Sequence, residues 1–382
     1  MTQHAGPTAG LPIDGAERPT ADGWTFPVRN PATGERLWDV PDAGLPDAEA
    51  AVEAAWRAVH ATGWSTDTAM RLGAVRRFQQ ELAARADDLA ALLAVETGVP
   101  VALRRTYVDA PVEGLRNVIG RGRPAVTVVL TPATAPLSVA LAEIGRVLGA
   151  GGSVVLKPAP EAASAALEVG RMGLDFLPRG VLNVVATRDV DVAIALTLDR
   201  RVDEVSFTGS PVAGERVRGA AGGAGKGVRL DLGGPAPARP ADDDRLEAVV
   251  AQAAMDVAAN AGQGCRLPAS VIVPVRRYAD ALRAAMAAME AVAVGDPLDP
   301  RTLCGPLRSP VALDRVLRYV SLARAEGGDV VLGGRRLDRD GGWWMAPTVI
   351  GGLDVESRLV REELLGPVLM VVPEPPGSSA RA

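Results

Sequence analysis

Between residues 46 and 62 apolar side chains return every three or four positions, with Val52, Ala55, Trp56 and Val59 on one face. This predicts a surface helix. Ser65-Thr66-Asp67 can cap a second helical pattern, which runs to about Gly98 and turns Leu72, Val75, Phe78 and Leu82 inward. The rhythm then changes. Short β-branched runs stand at 126–130 (VTVVL), 153–157 (SVVLK), 181–185 (VLNVV), 203–207 (DEVSF) and 228–232 (VRLDL). Helical patterns lie between them at about 137–148, 161–177, 189–198 and 211–220. Strand and helix alternating at this spacing predict an α/β fold with a doubly wound parallel sheet. Ligands of such sheets bind outside the carboxyl ends of the strands. After the Gly233-Gly234-Pro235 break a second α/β unit is predicted, with helices near 245–260, 276–292 and 309–326. Its strands are expected near 270–274, 329–332, 346–350 and 367–372.

Composition narrows the chemistry. A length of 382 residues suggests more than one domain, and a 48% hydrophobic content excludes a mainly disordered chain. The net charge of −5 gives no reason to expect a nucleic acid partner. Two cysteines, Cys265 and Cys304, exclude a disulfide framework or a four-cysteine zinc site. The two histidines, His4 and His60, fall in a polar start and on a surface helix. A histidine zinc centre, a Ser-His-Asp triad and a Cys-His dyad are therefore not expected, and no metal is. The first twenty residues lack a charged-then-apolar targeting pattern and read as the mobile start of a cytoplasmic chain. The longest apolar stretch, Val126 to Leu148, is broken by Pro132, Pro136, Glu143 and Arg146, so no membrane span is expected.

Four places can carry chemistry, and each also has a plain structural reading. Cys265 ends Asn260-Ala-Gly-Gln-Gly-Cys265, where small and amide residues leave room for a substrate and expose backbone N–H groups. Taken alone it reads first as an inert buried thiol, since free cysteines mostly behave as small hydrophobes. Without a histidine its activation would need backbone dipoles, a carboxylate acting through water, or a cofactor's positive charge. Phe207-Thr-Gly209-Ser210-Pro-Val-Ala-Gly214 joins a strand to a helix; such a turn can present N–H groups to a pyrophosphate, or be an ordinary βα connection. Lys157, which ends a strand before Pro158, can reach ribose hydroxyls or a phosphate, or be a solvated strand end. Only it and Lys226 are lysines among 41 basic residues. Asp231, closing VRLDL before two glycines, can hold a water for general-base work or simply make the turn.

The order of these elements is more informative than any one of them. A strand-end lysine is followed by FTGS-x-x-x-G, D-L-G-G, N-A-G-Q-G-C and E-L-L-G-P. The series resembles the aldehyde dehydrogenase superfamily from about residue 25 to 373. Asn30-Pro-Ala-Thr-Gly34-Glu35, Val294-Gly-Asp-Pro-Leu-Asp-Pro300 and Gly305-Pro-Leu resemble it as well. The resemblance implies a dinucleotide-binding domain at 21–233 and a catalytic domain at 234–373, between a disordered tail at 1–20 and another at 374–382. It implies oxidation of a small-molecule aldehyde to an acid with NAD or NADP, through a cysteine thiohemiacetal and a thioester. Cys265 matches the nucleophile, Lys157 the lysine on the adenosine ribose, Gly209 and Ser210 the turn at the cofactor, and Glu363 the glutamate on the nicotinamide ribose. Pro158, Gly214 and Leu232 complete the cofactor-binding set.

The departures are as specific as the matches. The family's P-W-N-F-P reads Pro132-Ala133-Thr134-Ala135-Pro136, so Thr134 replaces the oxyanion-donating amide. Loss of one such donor costs about 10²–10³ in turnover. The general-base glutamate of E-L-G-G is Asp231, one methylene shorter, and the phenylalanine of E-I-F-G-P is Leu365. Three residues after Lys157, where NAD-preferring members often place a glutamate, stands Pro160, with Glu161 next. Glu96-Thr97-Gly98 is followed quickly by Thr131-Pro132, which shortens the segment that carries an oligomerisation strand in the family, and the chain stops at Ala382. These features lead to the expectation of a monomer, an atypical dimer or a second chain completing the site, with a water-open substrate side. Two further readings follow from the substitutions: a weakly active or inactive relative with a binding role, and a variant that passes its acyl group to coenzyme A or an amine.

Overall fold

The computed structural model describes residues 10–115, 122–234, 237–264 and 267–374, and the chain divides into two units. The first takes the described residues up to Arg29, then Arg36–Glu96 and Arg104–Leu232; the second takes Asn30–Glu35, Thr97–Leu103 and the described residues from Gly233 onward. Two short segments expected in the first domain thus belong to the second. The reason is close packing inside that unit. A Cβ on Gly34 would lie 3.0 Å from the Gly341 carbonyl oxygen, and one on Gly98 would lie 2.9 Å from the Pro306 ring.

The first unit runs β1 (Leu11–Ile13), β2 (Ala16–Arg18), β3 (Thr25–Arg29), β4 (Arg36–Pro41), α1 (Leu45–His60), α2 (Thr68–Ala84), α3 (Ala86–Thr97) and α4 (Ala110–Gly114). It continues through β5 (Val126–Leu130), α5 (Pro136–Gly149), β6 (Ser153–Lys157), α6 (Ala163–Gly173), β7 (Leu182–Val184), α7 (Val190–Leu198), β8 (Glu204–Gly209), α8 (Pro211–Gly223) and β9 (Gly227–Leu232). The sheet is all parallel in the order β7-β6-β5-β8-β9. β5 is buried along its whole length, as a central strand covered on both faces must be. β6 and β7 are added on one side of it and β8 and β9 on the other, so strand order reverses at β5 and leaves a crevice at the carboxyl ends there.

Three local expectations are corrected. Part of the predicted N-terminal tail is a hairpin: β1 pairs with β2 around Asp14-Gly15, both at positive φ, and Leu11 and Ile13 are buried. Asp-Gly is the residue pair that such a tight turn favours, but arms of three residues are too short to show an alternation. The hairpin is anchored by Asn183 Oδ1, which accepts from the Asp14 N–H, and by Arg179, which pairs with Asp14. The long helix expected up to Gly98 is broken at Arg85, which leaves helical geometry (φ −105°, ψ 18°) between α2 and α3. Asp67 caps α2 as expected, accepting from the Met70 N–H. Trp56, placed on one face with the buried Val52, Ala55 and Val59, is exposed, as is Leu72, read as inward-facing; Ala74 takes the buried position on α2.

Glu96 is buried at the end of α3 and caps α6, accepting from the N–H groups of Ser164 (2.6 Å) and Ala165 (3.0 Å). Burial raises its pKa to about 7, against the opposing pull of those hydrogen bonds. The folded state therefore holds a proton that the unfolded chain has released. The associated stability is fully present below pH ~4.5 and is lost as pH rises through ~7. Denaturant titrations at pH 5 and pH 8 are expected to show this loss in the wild type and a flatter profile in Glu96→Gln. Equal slopes in the two proteins would show that Glu96 is not the group.

The second unit contains α9 (Leu246–Ala258), β10 (Ser270–Pro274), α10 (Tyr278–Glu290), α11 (Pro310–Ala325), β11 (Asp329–Leu332), β12 (Arg336–Leu337), β13 (Trp344–Met345), β14 (Thr348–Gly351), α12 (Arg358–Arg361) and β15 (Val368–Glu374). Its main sheet has the order β10-β15-β14-β11, with β11 antiparallel and the others parallel. Val271, Val273, Val349, Ile350 and Val368–Val372 form the buried sheet core, against which Val250, Val257, Met289, Val316 and Val320 of the helices pack. Both units are α/β, as the alternation of patterns predicts. No helix among the described residues is long and apolar enough to cross a membrane.

Candidate active site

In the first unit the site-bearing residues sit where the strands end. Lys157 closes β6, and its N-terminal neighbours are wholly buried. The loops after β5 and β6 are tied together: the Thr131 N–H donates to the Lys157 carbonyl (3.2 Å) and the Ala159 N–H to that of Thr131 (3.0 Å). Thr131 Oγ1 is buried with no hydrogen-bond partner among the described residues. A buried orphan hydroxyl costs about 1–3 kcal/mol, which a polar ligand group or a water at this edge would recover. Thr134 is buried in the turn leading into α5. Burial lowers the pKa of Lys157, while the carboxylates of Glu161 and Asp42 partly restore it. The acids that act on Lys157 are thus Glu161 and Asp42. Asp42 in turn accepts from the Thr187 hydroxyl, the Arg188 N–H and the Arg188 guanidinium.

β8 delivers Gly209 and Ser210 to the N-terminus of α8, where Ser210 Oγ accepts from the Ala213 N–H and Pro211 takes the first helical position. A helix N-terminus of this kind favours an anion. Gly214 and Leu232 meet each other: a Cβ on Gly214 would fall 2.3 Å from Leu232 Cδ2, so the glycine lets α8 close onto the end of β9. Asp231 lies on the exposed side of β9, opposite Thr208. Pro158 is buried behind Lys157.

In the second unit three sequence motifs converge. Asn260, Ala261 and Gly262 after α9 all have positive φ (50°, 52° and 69°). Such geometry costs non-glycine residues about 1–2 kcal/mol each and is held here by neighbours. Gln263 is the buried clamp: its Nε2 donates to the carbonyls of Asn260 and Pro306, and its Oε1 accepts from the N–H and guanidinium of Arg308. It ties the N-A-G-Q-G loop to Gly305-Pro-Leu. Gly262 abuts Gly366 of E-L-L-G-P so closely that a Cβ would lie 2.0 Å from the Gly366 oxygen. The same turn sets the Glu363 carboxylate against Gly233, whose Cβ would lie 2.4 Å from Oε2, and the Gly234 backbone hydrogen-bonds to it. Burial raises the pKa of Glu363, opposed by the Arg315 charge and that backbone bond. A narrow cleft runs between the two segments, lined by Gly234, Gly262, Gly264, Leu267 and Glu363.

Cys265 lies outside the described residues; Gly264 and Leu267 beside it line the cleft. The other cysteine, Cys304, is fully buried, and burial pushes its thiol pKa up to about 12. Among the described residues no group of three or more His, Cys, Asp or Glu side chains is placed to hold a metal. Sequence reasoning gave no role to Gln263, although it sits inside a quoted motif, and missed Thr131, Asp42 and Arg315. A buried orphan hydroxyl and one arginine among many have no linear signature.

The family model for the aldehyde dehydrogenase family matches residues 19–125 and 117–374. The geranial dehydrogenase of Castellaniella defragrans is 32% identical over 376 residues, which cover 90% of this chain and 77% of that protein. An indole-3-acetaldehyde dehydrogenase of P. syringae, solved with NAD+ and IAA, is 28% identical with a TM-score of 0.93, over 97% of this chain and 81% of its own. The NAD+ complex of an aldehyde dehydrogenase from Bacillus cereus gives 28% and 0.91, over 96% and 79%. With the match running from residue 19 to 374, this chain belongs to the aldehyde dehydrogenase family and is an oxidoreductase acting on aldehydes.

Proposed function

We propose that the chain oxidises an aldehyde to the carboxylic acid by covalent catalysis at Cys265. The thiolate adds to the carbonyl carbon, forming a C–S bond and an oxyanion that the Thr134 hydroxyl can meet as donor. Loss of hydride from the former aldehyde carbon turns this adduct into a thioester, and water then cleaves its C–S bond to release the acid and the free thiol, with Asp231 taking the water's proton. Bound NAD or NADP supplies the hydride acceptor. Lys157 would hold the adenosine ribose, with Pro158 behind it, while Gly209, Ser210 and the start of α8 would face the pyrophosphate. Glu363 would hold the nicotinamide ribose. The fit of a dinucleotide is supported by the orphaned Thr131 hydroxyl beside the Lys157 carbonyl and by a capped helix N-terminus at the next strand end. The observation that carries the reading is the convergence of the Cys265 loop and the Glu363 turn on one cleft, held by Gln263 and the Gly262–Gly366 contact.

The test is an aldehyde panel with each cofactor, followed by reduced-nicotinamide absorbance. Measurable cofactor binding without any absorbance change from the wild type would sink the reading and leave a binding role.

Asp231 favours a second reading. It is one methylene shorter than the family's base and stands on the exposed side of an edge strand, which supports slow hydrolysis of the thioester. A burst of one equivalent followed by slow turnover is then expected, relieved by coenzyme A or an amine. Asp231→Glu is expected to raise the steady rate about tenfold without changing the burst. A steady rate that shows no burst and no response to Asp231→Glu would rule this out.

A further inference from the structure

Glu363 lies in an irregular segment between α12 and β15, two residues before Leu365 at φ 56°. Its carboxylate accepts from the Gly234 backbone, and its main chain is restrained from α11. Arg315 Nη2 donates to the Glu363 carbonyl at 2.6 Å, and its guanidinium stands 5.5 Å from the ring centroid of Tyr319, one helical turn on. The Tyr319 hydroxyl hydrogen-bonds to Glu362, which also pairs with Arg358 of α12. One face of α11 thus grips the backbone and side chain of two successive glutamates.

We propose that Arg315 is a positioning residue for the cofactor site: by anchoring the Glu363 main chain from α11 it fixes where the Glu363 carboxylate meets its ligand. The inference rests on the reading of Glu363 as the group that holds the nicotinamide ribose. The titratable and charged groups around Glu363 are Arg315 and Tyr319 from α11, Glu362 in its own segment and Arg358 from α12. Of these, Arg315 is the charge that acts on the Glu363 carboxylate, opposing the effect of burial.

The experiment compares full-length wild type, Arg315→Met, Arg315→Lys and Glu363→Gln. In Arg315→Met the cofactor KM is expected to rise about tenfold with a smaller change in kcat. The midpoint of the pH profile of kcat/KM for the cofactor should move up by about one unit, because a buried carboxylate without its cation takes up a proton more readily. Arg315→Lys keeps the charge and should restore the midpoint while leaving KM raised, since an ammonium cannot reproduce the guanidinium contact. It carries the test if Arg315→Met does not fold. Glu363→Gln should raise KM and abolish that limb of the profile. An unchanged KM in Glu363→Gln would show that the reading of Glu363 is wrong. A raised KM in Glu363→Gln together with an unmoved KM and midpoint in the Arg315 variants would overturn the positioning role alone.

Discussion

Replacing Cys265 by serine is expected to lower aldehyde oxidation by roughly 10⁴-fold or more, whereas Cys304→Ala should leave the rate within a few-fold of wild type. Removal of the nucleophile from a covalent mechanism costs on this scale, because the groups that support it act as a unit. Serine keeps the shape but not the acidity: a hydroxyl is almost wholly protonated near neutral pH, where a thiol has an accessible thiolate. Cys304 is fully buried with its thiol pKa at about 12, and its Sγ makes a weak contact with the Gly305 carbonyl at 3.7 Å besides a backbone hydrogen bond with Ala261. Gly262 and Gly264, in the loop that leads to Cys265, line a cleft that has no histidine among its described lining residues. Alkylation of the native protein near pH 8 should therefore label one thiol in the wild type and in Cys304→Ala, and none in Cys265→Ser. Cofactor turnover by Cys265→Ser within tenfold of wild type would remove the covalent mechanism.

Gly262→Ala should destabilise the protein by about 3 kcal/mol and abolish activity. Two independent costs meet at this residue. Its φ of 69° is a conformation that an L side chain adopts at about 1–2 kcal/mol. The added Cβ would also sit 2.0 Å from the Gly366 oxygen and 2.9 Å from the Pro367 nitrogen, both backbone atoms that cannot rotate away. Overpacking of this kind costs about 1–3 kcal/mol. Relief would require the Glu363 turn to part from the cysteine loop, so activity falls along with stability. Gly234→Ala is the control. Gly234 lines the same cleft, but its Cβ would meet nothing within 4 Å among the described residues, and stability should stay within about 0.5 kcal/mol of wild type. Denaturant midpoints measure both variants; equal stabilities for the two would show that the Gly262–Gly366 approach is not the constraint.

The elements of both sheets were legible because each is a local pattern. VTVVL and SVVLK are continuous apolar runs, and burial on both faces is what a central parallel strand requires. Asp67, Ser210 and Ser309 cap α2, α8 and α11 with their own side chains, a signal contained in a few residues. The errors fell where a local pattern competes with its surroundings. Trp56 satisfies the apolar period of α1 yet is exposed, with its ring 5.0 Å from that of His60. The Asp14-Gly15 turn was readable, but three-residue arms on either side gave no alternation to go with it.

The chain's periodicity, its few lysines, cysteines and histidines, and the order of its motifs determined the α/β class, the end of the sheet at which ligands bind and the class of chemistry. Those properties depend on neighbours in sequence, whose spacing sets which side chains share a face. Only the tertiary structure decided that Gln263 clamps Pro306 and Arg308, that Gly262 rests on Gly366, and that Gly233 and Arg315 flank Glu363. These contacts join segments far apart in the chain, through backbone approaches that only glycine permits and through single polar side chains. Their energy comes from the partner's position, which no local pattern encodes.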